Sequence, residues 1–157
     1  MNVSDKAQEI LVTSARALAQ ADGLVPTLRA LLDAIAEPLG IASAAIVVAD
    51  ARSGHLRIAA SFGLGQDAEA GLAAAIGNPG HPIARTVANP VATFDVQPTA
   101  PGGPALRSHL PLTVTHDGRQ RVLGVLALAH ERPVEQGVRP LLQAGADLAA
   151  VAVERYG

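Results

Sequence analysis

The chain of 157 residues contains no cysteine and no tryptophan, and its aromatic side chains are Phe62, Phe94 and Tyr156. Without thiols there is no disulfide framework, no thiolate nucleophile and no cysteine-bearing zinc site. So few rings leave little on which to stack the bases of a single-stranded nucleic acid. The basic residues, all arginine except Lys6, are scattered through a chain of formal charge −2, which gives no electrostatic footprint for nucleic acid. The N-terminus lacks the basic start and unbroken apolar core of a signal peptide, and no run approaches the length of a membrane span. The sequence therefore reads as soluble and cytoplasmic, with no membrane partner. Its abundant Ala, Gly and Pro say little about function, since genomic base composition produces the same bias.

What is present is most legible between Ala105 and His130. Leu110, Leu112 and Val114 share one parity, headed by Ser108, while His109, Thr113 and Thr115 take the other, which predicts a strand buried on one side. Asp117-Gly118 supplies the positive φ that a tight hairpin turn requires, and Arg121 to Ala129 returns as a nearly continuous apolar strand. Such a strand is covered on both faces. Its second cover is either a helix layer that only holds the fold together or a cavity that receives a ligand.

The length fits one domain, 1–157, able to bury roughly 70% of the surface its unfolded chain exposes. Ser4 to Ala21 reads as an amphipathic leading helix, with Asp5, Glu9, Arg16 and Gln20 on one stripe. A second helix carries Leu24, Leu28, Leu31, Leu32, Ile35 and Leu39 and ends at Pro38-Leu39-Gly40. Ala44 to Ala49 and Leu56 to Phe62 make an antiparallel hairpin around Ser53-Gly54, and Gln66 to Ile76 is a short Ala-rich helix. Pro82 opens another short helix to Ala88, stopped by Asn89-Pro90, and Val91 to Phe94 is a short strand. A Pro- and Gly-rich loop, Asp95 to Pro104, leads into the strong hairpin, and Val134 to Arg155 is the last helix, where Gly145, Ala149 and Ala152 permit close packing. Hairpin strands with helices gathered at the ends predict an α+β fold on an antiparallel sheet.

Taken in order, several of these strings resemble a GAF domain, a regulatory small-molecule-binding module related to the PAS fold. Ile83 to Val91 (IARTVANPV) is similar to that family's helix-turn-strand pattern V-A-x-T-G-R-P-V, with Asp95 where a strand-ending Asp sits. Ser108 to Leu112 resembles S-x-L-x-V-P-L, Val122 to Leu128 resembles x-I-G-V-L-x-L, and Leu141 to Val153 resembles L-x-x-x-A-x-Q-x-A-x-A-I. The likeness spans residues 24–156, with 1–21 as a leading helix. It implies a sheet of five or six antiparallel strands, terminal helices on one face, and a pocket on the other, roofed by Gln66 to Ala88 and Asp95 to Pro104. It also implies a homodimer through the terminal helices and coupling to a signalling effector domain. The departures matter equally. Asn89 stands where Gly is usual, and the Asn-Lys…Phe…Asp-Glu signature of cyclic-nucleotide-binding members is missing. A chain without cysteine supplies neither the bilin attachment of photoreceptor members nor the catalytic cysteines of the free methionine-sulfoxide reductase branch.

Within that frame the candidate ligand residues are His81, Ile83, Arg85, Phe94, Asp95, Arg107 and His109. His81 opens the short helix, and the backbone N–H groups of Ile83, Ala84 and Arg85 lie at its start with the Arg85 side chain nearby, an arrangement suited to an anion unless solvent or His81 satisfies them. Asp95 and Arg107 flank the loop and either close on a polar ligand or pair with each other. His109 either faces the pocket, where a lone imidazole is also a haem ligand, or is a hydrogen-bonded structural residue. His55, His116 and His130 are expected at the solvent. Ser108 and His109 are adjacent on a strand and point to opposite faces, so they form no nucleophile and base pair. Glu131, Glu135 and Glu154 lack metal-ligand spacing. The expectation is a noncatalytic sensory domain for a small molecule whose identity the sequence leaves open, as it leaves open whether there is any cofactor. The alternative is a degenerate domain whose pocket is filled by its own Leu, Val and Ala side chains and whose helices serve dimerisation.

Overall fold

The computed structural model describes residues 5, 8–10, 12, 13, 16, 23–98 and 106–156. Those between 5 and 16 are helical, and Ile10 is buried in the core; the rest of the expected leading helix, and residues 99–105 of the expected roof loop, lie outside the described residues. The next helix, α1 (Leu24–Leu39), starts at Gly23, whose carbonyl accepts from Thr27 Oγ1 at 2.6 Å. It stops where Gly40 turns left-handed (φ 63°) and the N–H of Ile41 reaches back to Ala36 O at 3.0 Å, satisfying a carbonyl that the helix end would otherwise orphan.

The elements that follow are β1 (Ser43–Ala49), β2 (Leu56–Phe62), α2 (Gln66–Ala75), α3 (Pro82–Ala88), β3 (Thr93–Val96), β4 (Leu106–His116), β5 (Arg119–His130) and α4 (Arg139–Tyr156). Five antiparallel strands form one sheet in the order β2-β1-β5-β4-β3. The β4–β5 hairpin turns on Asp117 (φ 51°) and Gly118 (φ 76°), the two consecutive positive values a two-residue turn needs to match the twist of its strands. Its pairing runs from Leu106 opposite His130 to His116 opposite Arg119, with one irregularity beside Gly124.

Alternation along the strands divides the molecule into two unlike layers. On one face Ile46, Leu110, Leu112, Leu126 and Leu128 meet Leu28, Leu31, Leu32 and Ile35 of α1 and Leu142 of α4, the main core. On the other face a smaller cluster of Val47, Val125, Ile76 and Ile83 sits under α2 and α3. The fold is thus α+β, with the terminal helices on one side of an antiparallel sheet and the short helices on the other. None of the described helices is long and apolar enough to cross a membrane.

Two boundaries differ from the sequence reading. The short strand is Thr93–Val96 rather than Val91 to Phe94, because its pairing is to β4, with Thr93 opposite His109 and Val96 opposite Arg107. The last helix begins at Arg139 rather than Val134: the Val134 N–H is held by the Asp95 carboxylate at 2.8 Å, and a turn closed by Val138 N–H on Glu135 O (2.9 Å) intervenes.

Two glycines sit at close approaches of different stiffness. A Cβ on Gly124 would lie 2.0 Å from Val47 O, a backbone atom in the middle of the sheet, whereas one on Gly145 would meet Ile35 Cδ1 at 2.6 Å, the movable end of a side chain. Gly124→Ala is expected to cost about 3 kcal/mol or more and Gly145→Ala about 1 kcal/mol, read as shifts of the urea midpoint. Equal shifts would contradict the assignment of Gly124 to a rigid backbone crossing.

Candidate functional site

The face of the sheet under α2 and α3 is only partly filled. Toward β1 and β2, Val47, Ile76, Ile83 and Val125 with Leu56, Ile58, Leu72 and Val87 close it with hydrocarbon. Toward β4 the floor is Ala45, Ala127 and Ala129, and α2 presents Ala68, Gly71 and Ala75 above it. Small side chains on both sides leave a cleft of about 380 Å³, within the range of small-molecule sites. His81, Ile83, Arg107 and His109 all line it. A neighbouring cleft of about 580 Å³ between α3 and the β3–β4 edge is lined by Pro82, Arg85, Thr86, Thr93, Val96 and, again, His109. The roof is lightly held, since α2 has no fully buried residue, and segments with few buried contacts are the first to open.

His109 is the shared wall. It is 5% exposed, and no hydrogen bond joins its ring to another of the described residues. The expectation of a hydrogen-bonded structural imidazole therefore does not hold. Burial pushes its pKa down to about 4, and His81 and Arg107 beside it push the same way, so the ring is neutral at pH 7. His81 acts on its own helix. Its Nδ1 accepts from the Ile83 N–H at 3.1 Å, capping α3, and burial lowers its pKa too. That bond removes the Ile83 N–H, and the bond from the Arg85 N–H to His81 O at 2.9 Å removes the Arg85 N–H, from those expected to be open to an anion.

Phe94 and Asp95 lie away from both clefts. Phe94 packs against the main core with the Arg139 guanidinium over its ring, 4.7 Å from the centroid. Asp95, at φ 58°, donates its N–H to Ser108 Oγ (3.2 Å), and its carboxylate accepts from Val134 N–H (2.8 Å) and Arg139 Nη2 (3.1 Å). Its partner is the last helix rather than Arg107. The network continues to His130, which is buried and not at the solvent as expected. His130 Nδ1 lies 2.7 Å from Arg132 O, which can only accept, so Nδ1 carries the proton and Nε2 accepts from Ser108 Oγ at 2.8 Å. His55 and His116 are exposed, His116 against Glu154.

Sequence reasoning missed Arg139, Val134 and the Ser108–His130 bond. Parity offered a signal for the last, because His130 shares its face with the buried Leu126 and Leu128. Nothing local marked Arg139, whose partner is 44 residues away.

The neutral His109 makes stability depend on pH. The unfolded ring takes its proton near pH 6.5, the folded one only near 4, so the unfolded state gains protons as pH falls between those values and the folded state loses stability. Between pH 7 and pH 5 the unfolding free energy of the wild type should fall by about 2 kcal/mol more than that of His109→Gln. Urea titrations at the two pH values check this, and parallel losses in the two proteins would refute it.

Neither protein-family models nor curated proteins give a match to this sequence. Solved structures do. The GAF domain of the Acinetobacter phosphoenolpyruvate-protein phosphotransferase has a TM-score of 0.70 at 14% identity over 92% of each chain. Free methionine-R-sulfoxide reductase from Neisseria meningitidis, in complex with its substrate, has a TM-score of 0.72 at 14% identity, over 97% of this chain and 90% of that one. The GAF domain of a protein described as a sensor histidine kinase of Pseudomonas syringae has 0.69 at 17%, over 97% and 89%. At such identities the likeness is one of fold, and the fold of this chain is that of the GAF domains.

Proposed function

We propose that the chain is a noncatalytic regulatory domain that binds a small molecule between its short helices and its sheet and reports occupancy through its terminal helices. The observation that carries this reading is His109. The ring is 5% exposed, is hydrogen-bonded to no other described residue, and walls two clefts at once, so what is open of it faces the space a ligand would fill. A ligand that satisfies it and orders the roof binds one arrangement better than the other, which is the only way a ligand shifts a conformational equilibrium.

Strand β3 is the route to the terminal helices. Thr93 and Val96 line the cleft beside α3, while Phe94 and Asp95 hold Arg139 and Val134 at the start of α4. A shift of this edge strand pulls on the last helix through a carboxylate and an aromatic ring. Exposed apolar side chains on both terminal helices, Val25 at 46%, Val151 at 53% and Tyr156 at 37%, support a homodimer formed there. An attached effector would read that pairing.

A second reading has one observation in its favour. The hydrocarbon of Val47, Ile76, Ile83 and Val125 already fills part of the space under the roof, as in a scaffold that binds nothing. A thermal-shift panel of organic acids, amino acids, nucleotides and aromatic compounds separates the two. A ligand at 100 times its Kd adds about 2.7 kcal/mol, or about 5–10 °C in Tm for a chain of this size, and at least one compound class is expected to do so. A flat panel supports the scaffold instead. In Asp95→Asn the same compound should still raise Tm but should no longer change amide exchange in 139–156. Val151→Glu should convert a dimer seen by sedimentation at micromolar concentration to a monomer, and a monomeric wild type removes the dimer.

A further inference from the structure

Resting on the cleft as a ligand site, we propose that its occupant is a small carboxylic acid bound as the anion, and that His109 takes up a proton from solvent when the acid binds. The lining carries the argument. The described residues around the two clefts that meet at His109 include Arg107, Arg85, His81 and His109 and not one carboxylate. Every described ionisable residue that lines the space is therefore a cation or becomes one. The strands β1 and β5 contribute only Ser43, Leu128 and alanines, β3 contributes Thr93 and Val96, and α2 contributes Ala68, Gly71, Leu72 and Ala75. A cationic ligand finds no carboxylate among the described lining residues, and a purely apolar one offers the His109 ring no hydrogen bond. A carboxylate on a short hydrocarbon body fits both ends, its oxygens toward Arg107 and His109 and its carbons over Ala45, Ala127 and Leu72.

The proton follows from electrostatics. Burial is the main opponent of a positive charge on His109, and His81 and Arg107 oppose it further. An anion seated against the ring reverses the local field, and both ring nitrogens become donors once protonated, which exchanges a neutral hydrogen bond for a charge-assisted one. His81 is the other candidate for the proton, but its Nδ1 already accepts the Ile83 N–H, so protonation there breaks the cap of α3. His109 has no such bond to lose.

Calorimetric titration of the full chain with straight-chain carboxylates from acetate to octanoate, and with the matching amides, tests the proposal between pH 7.5 and pH 5.5. The expected result is carboxylate affinity that rises as pH falls, by up to tenfold per unit, the limit for uptake of a single proton. The amides should bind more weakly and without pH dependence. In His109→Gln the residual carboxylate binding should be flat with pH. In His81→Asn, where Asn restores the cap, the pH dependence should persist. Amides that bind as well as acids, or a slope that survives in His109→Gln, would overturn the proposal and leave the cleft as a ligand site. If neither series binds, the acid assignment fails, and the wider thermal-shift panel decides separately whether the cleft binds anything.

Discussion

The pleat of β4 is the constraint on which both halves of the molecule depend. Adjacent residues of a strand must face opposite ways, so Ser108, Leu110 and Leu112 enter the dry core under the terminal helices while Arg107 and His109 enter the roofed side. Ser108 is fully buried and hydrogen-bonded to His130, and this fixes the face of its neighbour. A one-residue slip of the strand would place His109 among leucines and expose the core leucines instead. The hairpin register set by Asp117-Gly118 and by the bare Gly124 crossing over Val47 makes that slip costly.

The two layers differ in what holds them. Under α1 and α4 large aliphatic side chains interlock and Gly145 lets α4 close on Ile35, so that side is rigid. Under α2 and α3 the contacts are few, the floor is alanine, and the most buried polar group is an imidazole unpaired among the described residues. A packed platform with one firm and one loose cover is suited to carrying a small ordering event on the loose side to the firm one. The link is polar. Asp95 joins β3 to Val134 and Arg139, and the Ser108–His130 pair ties β4 to the end of β5 and to Arg132. Arg139 is also stacked on Phe94, so the charge that anchors the last helix is held by the same short strand that borders the cleft.

Much of this was legible in the residues themselves. The alternation of Leu110, Leu112 and Val114 against His109 and Thr113 marks the two faces of β4, Asp117-Gly118 marks its turn, and the leucines of 24–39 mark a core helix. The candidate site was legible in part. His81, Ile83, Arg107 and His109 come together in one cleft, and Arg85 lines the next, because they lie on the sheet and the short helix that the sequence pattern already defines. Phe94 and Asp95 were not separable from them by pattern. Asp95 adopts a left-handed backbone and the pairing of β3 is irregular, and that break in alternation turns the pair toward Arg139.

The sequence by itself determined the kind and order of the elements from residue 24 on, the turn of the main hairpin, the α+β class and the absence of thiol chemistry, since each rests on periodicity, turn residues or composition within a few positions of chain. Only the tertiary structure decided that Asp95 answers to Arg139, that His130 is buried on Ser108, and that the ring of His109 meets two clefts without a hydrogen-bond partner among the described residues. Those facts depend on which side chains arrive from distant segments, and on how much space alanines leave between a sheet and its roof. No local pattern encodes either quantity.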